Sequence, residues 1–213
     1  MSAPIGAAFE ESAVAMSGSF SPSKRHEIVA PRHLPAWVWR GAAECIGTCV
    51  VVLFGCGAVG AAVAADAHAG LWQVAVVWGI GVTVAILVVG EISGAHLNPA
   101  VSLCLVLFRR RDFGPSILLY YVPMQLLGAF CAGMIVYGLY RGPLELFELQ
   151  RNITRGQLGS QASAAFLCEY FPNPGSALTD ASVSIGTAFG VEILGSLLLM
   201  LVILALTDRR NVT

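Results

Sequence analysis

The chain has 213 residues, of which 56% are hydrophobic and only 12% are charged, and its formal net charge is −1. A charged share about half the usual one indicates a membrane protein, and the weak basic balance argues against nucleic acid as a partner. The six cysteines show no paired metal-ligand spacing, and most lie in apolar runs, so we expect neither a metal site nor a disulfide framework.

The first 35 residues are rich in Ser, Ala and Pro. No apolar run follows Met1, which a cleaved signal peptide would require. We therefore predict a disordered cytoplasmic tail over residues 1–35, followed by a membrane domain over residues 36–213.

Four apolar runs reach the roughly 20 residues that a membrane-spanning helix needs. They cover about residues 37–65, 71–90, 115–140 and 181–207. Between the second and third runs, a polar, glycine-containing segment precedes an apolar stretch that is too short to span. Irregular backbone survives at membrane depth only inside protein or beside a watery cavity. We therefore predict a re-entrant loop and half-helix over residues 93–108.

The distribution of Lys and Arg predicts the orientation of these segments. Basic residues precede the first run, precede the third run at 109–111 and follow the fourth run at 209–210. The positive-inside rule then places the N-terminus in the cytoplasm. The connection over residues 141–180 is predicted to be extracytoplasmic.

Two glutamates interrupt the apolar runs in matching contexts. Glu44-Cys45-Ile46-Gly47-Thr48 and Glu192-Ile193-Leu194-Gly195-Ser196 share the pattern Glu-x-x-Gly-[Ser/Thr]. Carboxylates inside spans usually face the protein interior and have a partner, although a snorkelling or protonated carboxyl near the interface is the alternative. Three runs precede the second copy, so it enters the membrane from the opposite face, as in an inverted repeat.

The repeat predicts where further elements belong. Its offset of 148 positions would put a second copy of Asn98-Pro99-Ala100 near position 246, whereas the sequence ends at Thr213. On this interpretation the chain holds one and a third repeats and is a truncated form.

The string Ser93-Gly94-Ala95-His96-Leu97-Asn98-Pro99-Ala100-Val101 resembles the first signature of the major intrinsic protein (aquaporin) family. Trp72, residues 77–81, residues 188–192 and residues 203–208 are most similar to the glycerol uptake facilitators. The resemblance implies an all-α, aquaporin-like right-handed helix bundle, which assembles as homotetramers when complete. Four transmembrane helices and one half-helix of that bundle would be present here.

The same resemblance assigns roles to the loop residues. Asn98 would offer its side-chain amide to a solute hydroxyl at the midplane. Pro99 and Ala100 would start the half-helix, whose positive N-terminal dipole disfavours cations. A ladder of carbonyl acceptors would come from Gly94, Ala95, His96 and Leu97. Glu44 and Glu192 would accept hydrogen bonds from the two re-entrant loops of the complete fold, with Glu192 holding the loop that is present.

Two ring side chains, those of Trp72 and His96, are expected to contribute to the pore, and each has an alternative role. Trp72 matches a constriction tryptophan of glycerol facilitators, and the alternative is an interfacial anchor near the extracytoplasmic end. His96 is expected to line the pore, and the alternative is a hydrogen-bonded structural histidine.

We therefore expect an integral protein of the cell membrane that is a passive channel for glycerol, small neutral solutes and water, without a cofactor. An orthodox water channel is the nearest alternative, and a non-conducting membrane scaffold is another. No nucleophile–base pair is visible, so an enzyme is not expected.

Overall fold

The computed structural model describes residues 34–67, 70–174, 183–208 and 210. The predicted tail lies outside these residues except for its last two positions. No β-strand occurs in the described part. Its helices are α1 (Ala36–Ala64), α2 (Leu71–Ser93), α3 (Pro99–Phe108), α4 (Leu118–Gln150), α5 (Gln161–Ala164) and α6 (Ile185–Leu206), with a 3₁₀ turn at Pro115–Ile117.

Four of these helical segments are long and apolar enough to cross a membrane: Ala36–Ala64, Leu71–Ser93, Pro115–Gln150 and Ile185–Leu206. The short helix α3 has only ten residues, and at 1.5 Å per residue it covers about half of the hydrocarbon core. The predicted all-α fold with four spans and one half-helix is thus confirmed for the described residues.

Two of the helical segments extend beyond the apolar runs that predicted them. Helix α4 continues to Gln150, ten residues past the predicted end of the span. Hydropathy marks only the apolar part of a helix, and the polar extension carries an Arg141–Glu145 ion pair of 2.9 Å at i,i+4 spacing, a spacing that favours helix. Helix α2 likewise continues to Ser93, so its last turn contributes directly to the loop.

Small residues bring α1, α2 and α4 together. Gly55 of α1 lies against the Trp78 ring of α2, and a Cβ added at Gly128 of α4 would lie 2.1 Å from the Cys45 carbonyl oxygen. Such small residues let helix backbones approach closely, which is how helices associate in membranes.

The order of contacts along α1 gives the helix directions. Gly47 and Gly55 meet Val89 and Trp78 in turn, so α1 and α2 are antiparallel. Gly41 meets Met124, whereas Gly60 meets Tyr140, so α1 and α4 are parallel. Since α4 begins on the side where α2 ends, the intervening segment enters and leaves on one side. It is therefore re-entrant, as predicted.

The connection after α4 folds back onto the far ends of α1 and α4. Phe166 is 3% exposed and packs in a cluster with Val136 and Leu144. Arg155 donates hydrogen bonds to Glu148 at 2.9 and 3.1 Å and to the Tyr137 hydroxyl at 2.7 Å. This segment is therefore anchored to the helices by apolar and polar contacts.

Helix α6 differs from the others because none of its residues is buried. Its first turn is capped by Ser184, whose side chain accepts a hydrogen bond from the Thr187 amide. At its C-terminal end, Arg109 donates hydrogen bonds to the carbonyl oxygens of Thr207 at 2.7 Å and Leu204 at 2.9 Å. These carbonyls belong to the last turn, where helices lack internal donors, so Arg109 attaches α6 to the end of α3.

Candidate functional site

The site is built around the carboxylate of Glu44, which is fully buried in α1. Its Oε1 accepts hydrogen bonds from the Ser93 hydroxyl at 2.5 Å and the His96 amide at 3.0 Å. Its Oε2 accepts from the Leu97 amide and from the Gln125 side chain, both at 2.7 Å. Four donors therefore surround this carboxylate, which satisfies the requirement that a buried charge be hydrogen-bonded.

The loop is thereby held well inside the bundle. Glu44 is the ninth residue of α1, which places it about 12 Å along the axis from the helix start at 1.5 Å per residue. Since Ser93, His96 and Leu97 all bond to Glu44, the break after α2 lies at this depth. The irregular backbone is thus surrounded by protein on the Glu44 side, as membrane placement requires.

The backbone conformation of the loop is unusual. Ala95 and Leu97 have φ values of +48° and +54°, and Gly94 has +86°. A left-handed conformation costs a non-glycine residue roughly 1–2 kcal/mol, and such residues cluster at functional sites where the surroundings hold them in place. The hydrogen bonds from His96 and Leu97 to Glu44 provide that restraint here.

The loop amides and the loop carbonyls have different partners. The His96 and Leu97 amides are bound to Glu44. Among the described residues, no donor reaches the carbonyl oxygens of positions 94 to 97. Peptide carbonyls at this depth need a partner, and these four oxygens have none among the described residues.

Asn98 caps the half-helix and keeps a free donor. Its Oδ1 accepts from the amides of Ala100 at 2.7 Å and Val101 at 3.4 Å, which is an ordinary N-cap arrangement. The two donors identify Oδ1 as the oxygen, and no described residue accepts from the Nδ2 amino group. Asn98 is exposed, and Pro99 occupies the first helical position, as a residue with fixed φ and no donor should.

The structure corrects the expected role of Glu192. We expected Glu192 to hold this loop, but Glu44 does so, while Glu192 is exposed and has no hydrogen-bond partner among the described residues. The physical reason is reach. The loop continues directly from α2, which packs on α1, so the nearest buried carboxylate belongs to α1.

The side chain of His96 is buried, and only one of its two ring nitrogens has a hydrogen-bond partner among the described residues, so its role in lining a pore stays a prediction. It is 3% exposed, and its Nδ1 lies 3.1 Å from the Ser102 hydroxyl. Its ring makes edge-to-face contacts with Phe113 and Tyr121, at centroid distances of 4.6 and 4.9 Å.

The structure places Trp72 in the first turn of α2, where it is 65% exposed. Ser93 lies 21 positions further on, which corresponds to about 30 Å along the helix. The role of Trp72 in a constriction therefore stays a prediction, with the interfacial anchor as its alternative. Trp78 is the tryptophan that reaches into the bundle, with its ring on Gly55.

Sequence reasoning missed the contribution of α4. The Tyr121 hydroxyl donates to the Ser93 carbonyl oxygen at 2.5 Å, and the Gln125 amide nitrogen bridges Glu44 and the Ser102 hydroxyl. Both side chains are almost fully buried. Their spacing of four positions on one helical face, inside an apolar run, is a signal that could have identified them.

The described residues contain no group of three or more His, Cys, Asp or Glu that could hold a metal ion. The site therefore consists of hydrogen-bonding groups: carbonyl acceptors, one amide donor, and the N-terminus of α3. Such groups bind and orient polar, uncharged molecules.

Comparisons with known proteins agree with this geometry. The family model for major intrinsic proteins matches residues 35–213. The glycerol uptake facilitator of Pseudomonas aeruginosa is 43% identical over 169 residues, which cover 79% of this chain and 57% of that protein. The glycerol uptake facilitator of Escherichia coli K12 is 40% identical with the same coverage. The propanediol uptake facilitator of Salmonella typhimurium is 36% identical and 60% covered.

A solved structure also resembles this chain. The aquaglyceroporin of Plasmodium falciparum superposes with a TM-score of 0.59 at 31% identity, over 81% of this chain and 62% of that chain. The chain thus spans about three fifths of the length of the relatives that it matches.

Proposed function

Since the chain belongs to the major intrinsic protein family, we propose that it is a passive channel for glycerol and other small neutral solutes, together with water. Major intrinsic proteins are channels and facilitators, which supports the expectation that the protein is not an enzyme. Transport would follow the solute gradient and would need neither covalent chemistry nor a cofactor.

One observation carries the proposal: neighbouring residues of the loop hold an amide donor and carbonyl acceptors that are not used by the described part of the chain. The Asn98 amino group and the carbonyl oxygens of positions 94 to 97 have no hydrogen-bond partner there. A hydroxyl group accepts one hydrogen bond and donates another. A polyol or water molecule therefore finds partners for both functions, in exchange for the hydrogen bonds that it made in bulk water.

The electrostatics of the loop select against cations. The N-terminus of α3 begins at Pro99, and a helix N-terminus carries partial positive charge. The carboxylate of Glu44 is buried behind the loop and is saturated by four donors. A cation beside Asn98 would therefore meet a positive helix end that opposes the attraction of the loop carbonyl oxygens, whereas a neutral solute is unaffected.

Three further parts of the proposal concern the orientation, the location and the oligomeric state of the protein. The basic residues at 109–111 and 209–210 support a cytoplasmic N-terminus and ends of α3 and α6 on the same side. The cell membrane is the proposed location, since uptake of an external solute requires it. The homotetramer implied by the family resemblance also stays a prediction.

The proposal is tested by purifying the protein from its native cell membrane, reconstituting it in vesicles and measuring solute flux. After an osmotic step with glycerol, the vesicles should shrink and then swell again faster than empty vesicles, whereas sucrose should give shrinkage without recovery. Glycerol permeability equal to that of empty vesicles would overturn the channel. Fast water flow without glycerol entry would indicate a water channel instead, and no flux of either would indicate a scaffold.

A matched pair of variants tests the loop itself. Asn98→Asp keeps the oxygen that caps α3 but replaces the amino donor by a carboxylate oxygen. We expect glycerol permeability to fall at least about tenfold, because one hydrogen bond to the solute is lost and a charge is added. The same change at Asn152, in the exposed turn after α4, should leave permeability unchanged. Equal permeability of both variants would refute the role of Asn98.

A further inference from the structure

Next to the loop that joins α3 to α4 lies a cavity whose lining residues lie outside the candidate site described above. It has a volume of about 530 Å³ and is lined by the last turn of α3, the following turn, and the chain just beyond α6. This size falls within the roughly 300–1,000 Å³ of small-molecule sites. The cavity is on the side where α1 begins, which the proposed orientation makes cytoplasmic.

The charge of the cavity lining is predominantly positive. Among the described lining residues, four arginines stand against two aspartates, Asp112 and Asp208. The Asp208 carboxylate is already bound by Arg210, with oxygen–nitrogen distances of 2.9 and 3.2 Å. Since Asp208 lies outside the spanning helices, this guanidinium holds the pKa of its carboxyl well below the usual range. That pair is therefore a neutral unit and leaves the remaining arginines in excess.

The remaining arginines differ in whether their side chains are already hydrogen-bonded. The Arg109 side chain is committed to the carbonyl oxygens of Thr207 and Leu204. Arg110 and Arg111 are exposed and form no ion pair or side-chain hydrogen bond among the described residues. Two guanidinium groups on adjacent residues are thus available to an anion, and guanidinium binds phosphate oxygens bidentately.

The other part of the lining is apolar. In the part of the fold that this chain spans, Leu107 is 58% exposed and Phe108 is 71% exposed, and both line the same cavity as the arginines. They form the C-terminal end of α3, a helix that rises from inside the membrane toward this surface. An anion with an attached hydrocarbon chain therefore fits both parts of the cavity at once, whereas a free inorganic anion would use only the arginines.

We propose that this cavity binds the phosphate headgroup of an anionic phospholipid from the adjacent leaflet, with Arg110 and Arg111 on the phosphate and the acyl chain along Leu107 and Phe108. Juxtamembrane arginines attract anionic lipids, and the bidentate geometry of guanidinium adds a preference for phosphate over diffuse charge. Because the headgroup would sit beside the Arg109 contacts, bound lipid reinforces the attachment of α6 to α3.

The test counts lipids bound to the whole purified protein in a neutral detergent by native mass spectrometry. Dioleoyl-phosphatidylglycerol is the probe, and dioleoyl-phosphatidylcholine is its zwitterionic control. We expect the wild type to retain the anionic lipid preferentially. The double change R110Q/R111Q should weaken retention by about tenfold or more, whereas R110K/R111K should keep most of it.

The matched control removes two arginines from the opposite end of α4. The double change R141Q/R151Q alters the same net charge but lies far from the cavity, so it should leave lipid retention unchanged. If R110Q/R111Q does not fold, the wild type alone still tests the proposal, since raising the salt concentration should release the phosphatidylglycerol and spare the phosphatidylcholine.

Three results would overturn the proposal. Equal retention of both lipids by the wild type would remove the anion preference. Equal loss in R141Q/R151Q would make the effect one of net charge alone. Displacement of the lipid by millimolar inorganic phosphate would show that the cavity takes free phosphate and that the apolar residues contribute nothing.

Discussion

Helices α1 and α6 carry the same Glu-x-x-Gly-[Ser/Thr] motif, but their surroundings differ completely. Glu44 in α1 is fully buried and binds four donors, whereas Glu192 in α6 is exposed. Yet the hydropathy of the best window is 2.5 for α6 and 2.2 for α1. Hydropathy thus indicates whether a helix can lie in a membrane. The residues that pack on the helix determine whether its glutamate is hydrogen-bonded in the chain described.

The largest expected effect comes from removing the charge of Glu44, the buried member of this comparison. Glu44→Gln keeps the shape of the side chain but replaces one acceptor oxygen by an amino group, which would face the donors of His96, Leu97 or Gln125. We expect the free energy of unfolding to fall by about 2–4 kcal/mol, because hydrogen bonds to a charged group are lost and a buried donor is left unpaired.

Glu192→Gln is the matched control and should not lower the free energy of unfolding, because Glu192 has no hydrogen-bond partner among the described residues and a neutral amide costs less than a carboxylate inside a spanning helix. Both are measured by unfolding in mixed micelles with rising dodecyl sulfate. If Glu192→Gln destabilised the protein as much as Glu44→Gln, the contrast between the two helices would be wrong.

The second prediction concerns the close approach of α1 and α4. Gly128→Ala would put a methyl group 2.1 Å from the Cys45 carbonyl oxygen, a backbone atom that cannot rotate away. We expect a loss of about 1–3 kcal/mol, the usual cost of overpacking a tight interface. The same dodecyl sulfate titration measures it.

Gly133→Ala, on the same helix, is the control, because no atom lies within 4 Å of the added methyl group. It should be neutral or stabilising by up to about 1 kcal/mol, since Ala favours helix over Gly. Equal destabilisation by both changes would mean that helix propensity and not helix contact determines the outcome.

The third prediction addresses how α6 is attached. Arg109→Gln shortens the side chain so that it no longer reaches the carbonyl oxygens of Thr207 and Leu204. We expect about 1 kcal/mol less stability of the last turn of α6, in line with the loss of hydrogen bonds at a helix C-terminus. Hydrogen exchange of amides in residues 203–207 should become faster, with no change in α1. Unchanged exchange at these amides would mean that Arg109 does not hold the helix end.

The parts of the fold that follow from composition were predictable from the sequence. Apolar runs gave the four spans, and the short length of the run after Pro99 gave the half-helix, because both depend only on segment length and hydropathy. The end of α4 at Gln150 was missed, since polar residues continue a helix outside the membrane without any hydropathy signal.

The candidate site was only partly predictable. Asn98 and Pro99 were identified because their local chemistry, an N-cap and a first-turn proline, is written in adjacent residues. The partner of the loop was assigned to the wrong glutamate, because two identical motifs differ only in what packs on them. Tyr121 and Gln125 were missed for the same reason: they act through contacts with residues at least 23 positions away.

The smallest expected effect concerns Trp72 and tests whether solutes are selected at the end of α2 or at the loop. Trp72 is 65% exposed in the first turn of α2, so Trp72→Ala should leave the glycerol permeability of reconstituted vesicles within about twofold of the wild type, as expected of an interfacial anchor. Trp37→Ala, at the start of α1 and 58% exposed, is the matched control. If Trp72→Ala lowered glycerol permeability but left water flow intact, this ring would lie in the constriction. Only a ring that contacts the solute can discriminate a polyol from water, so solute selection would then occur at the mouth of the channel and not at the loop.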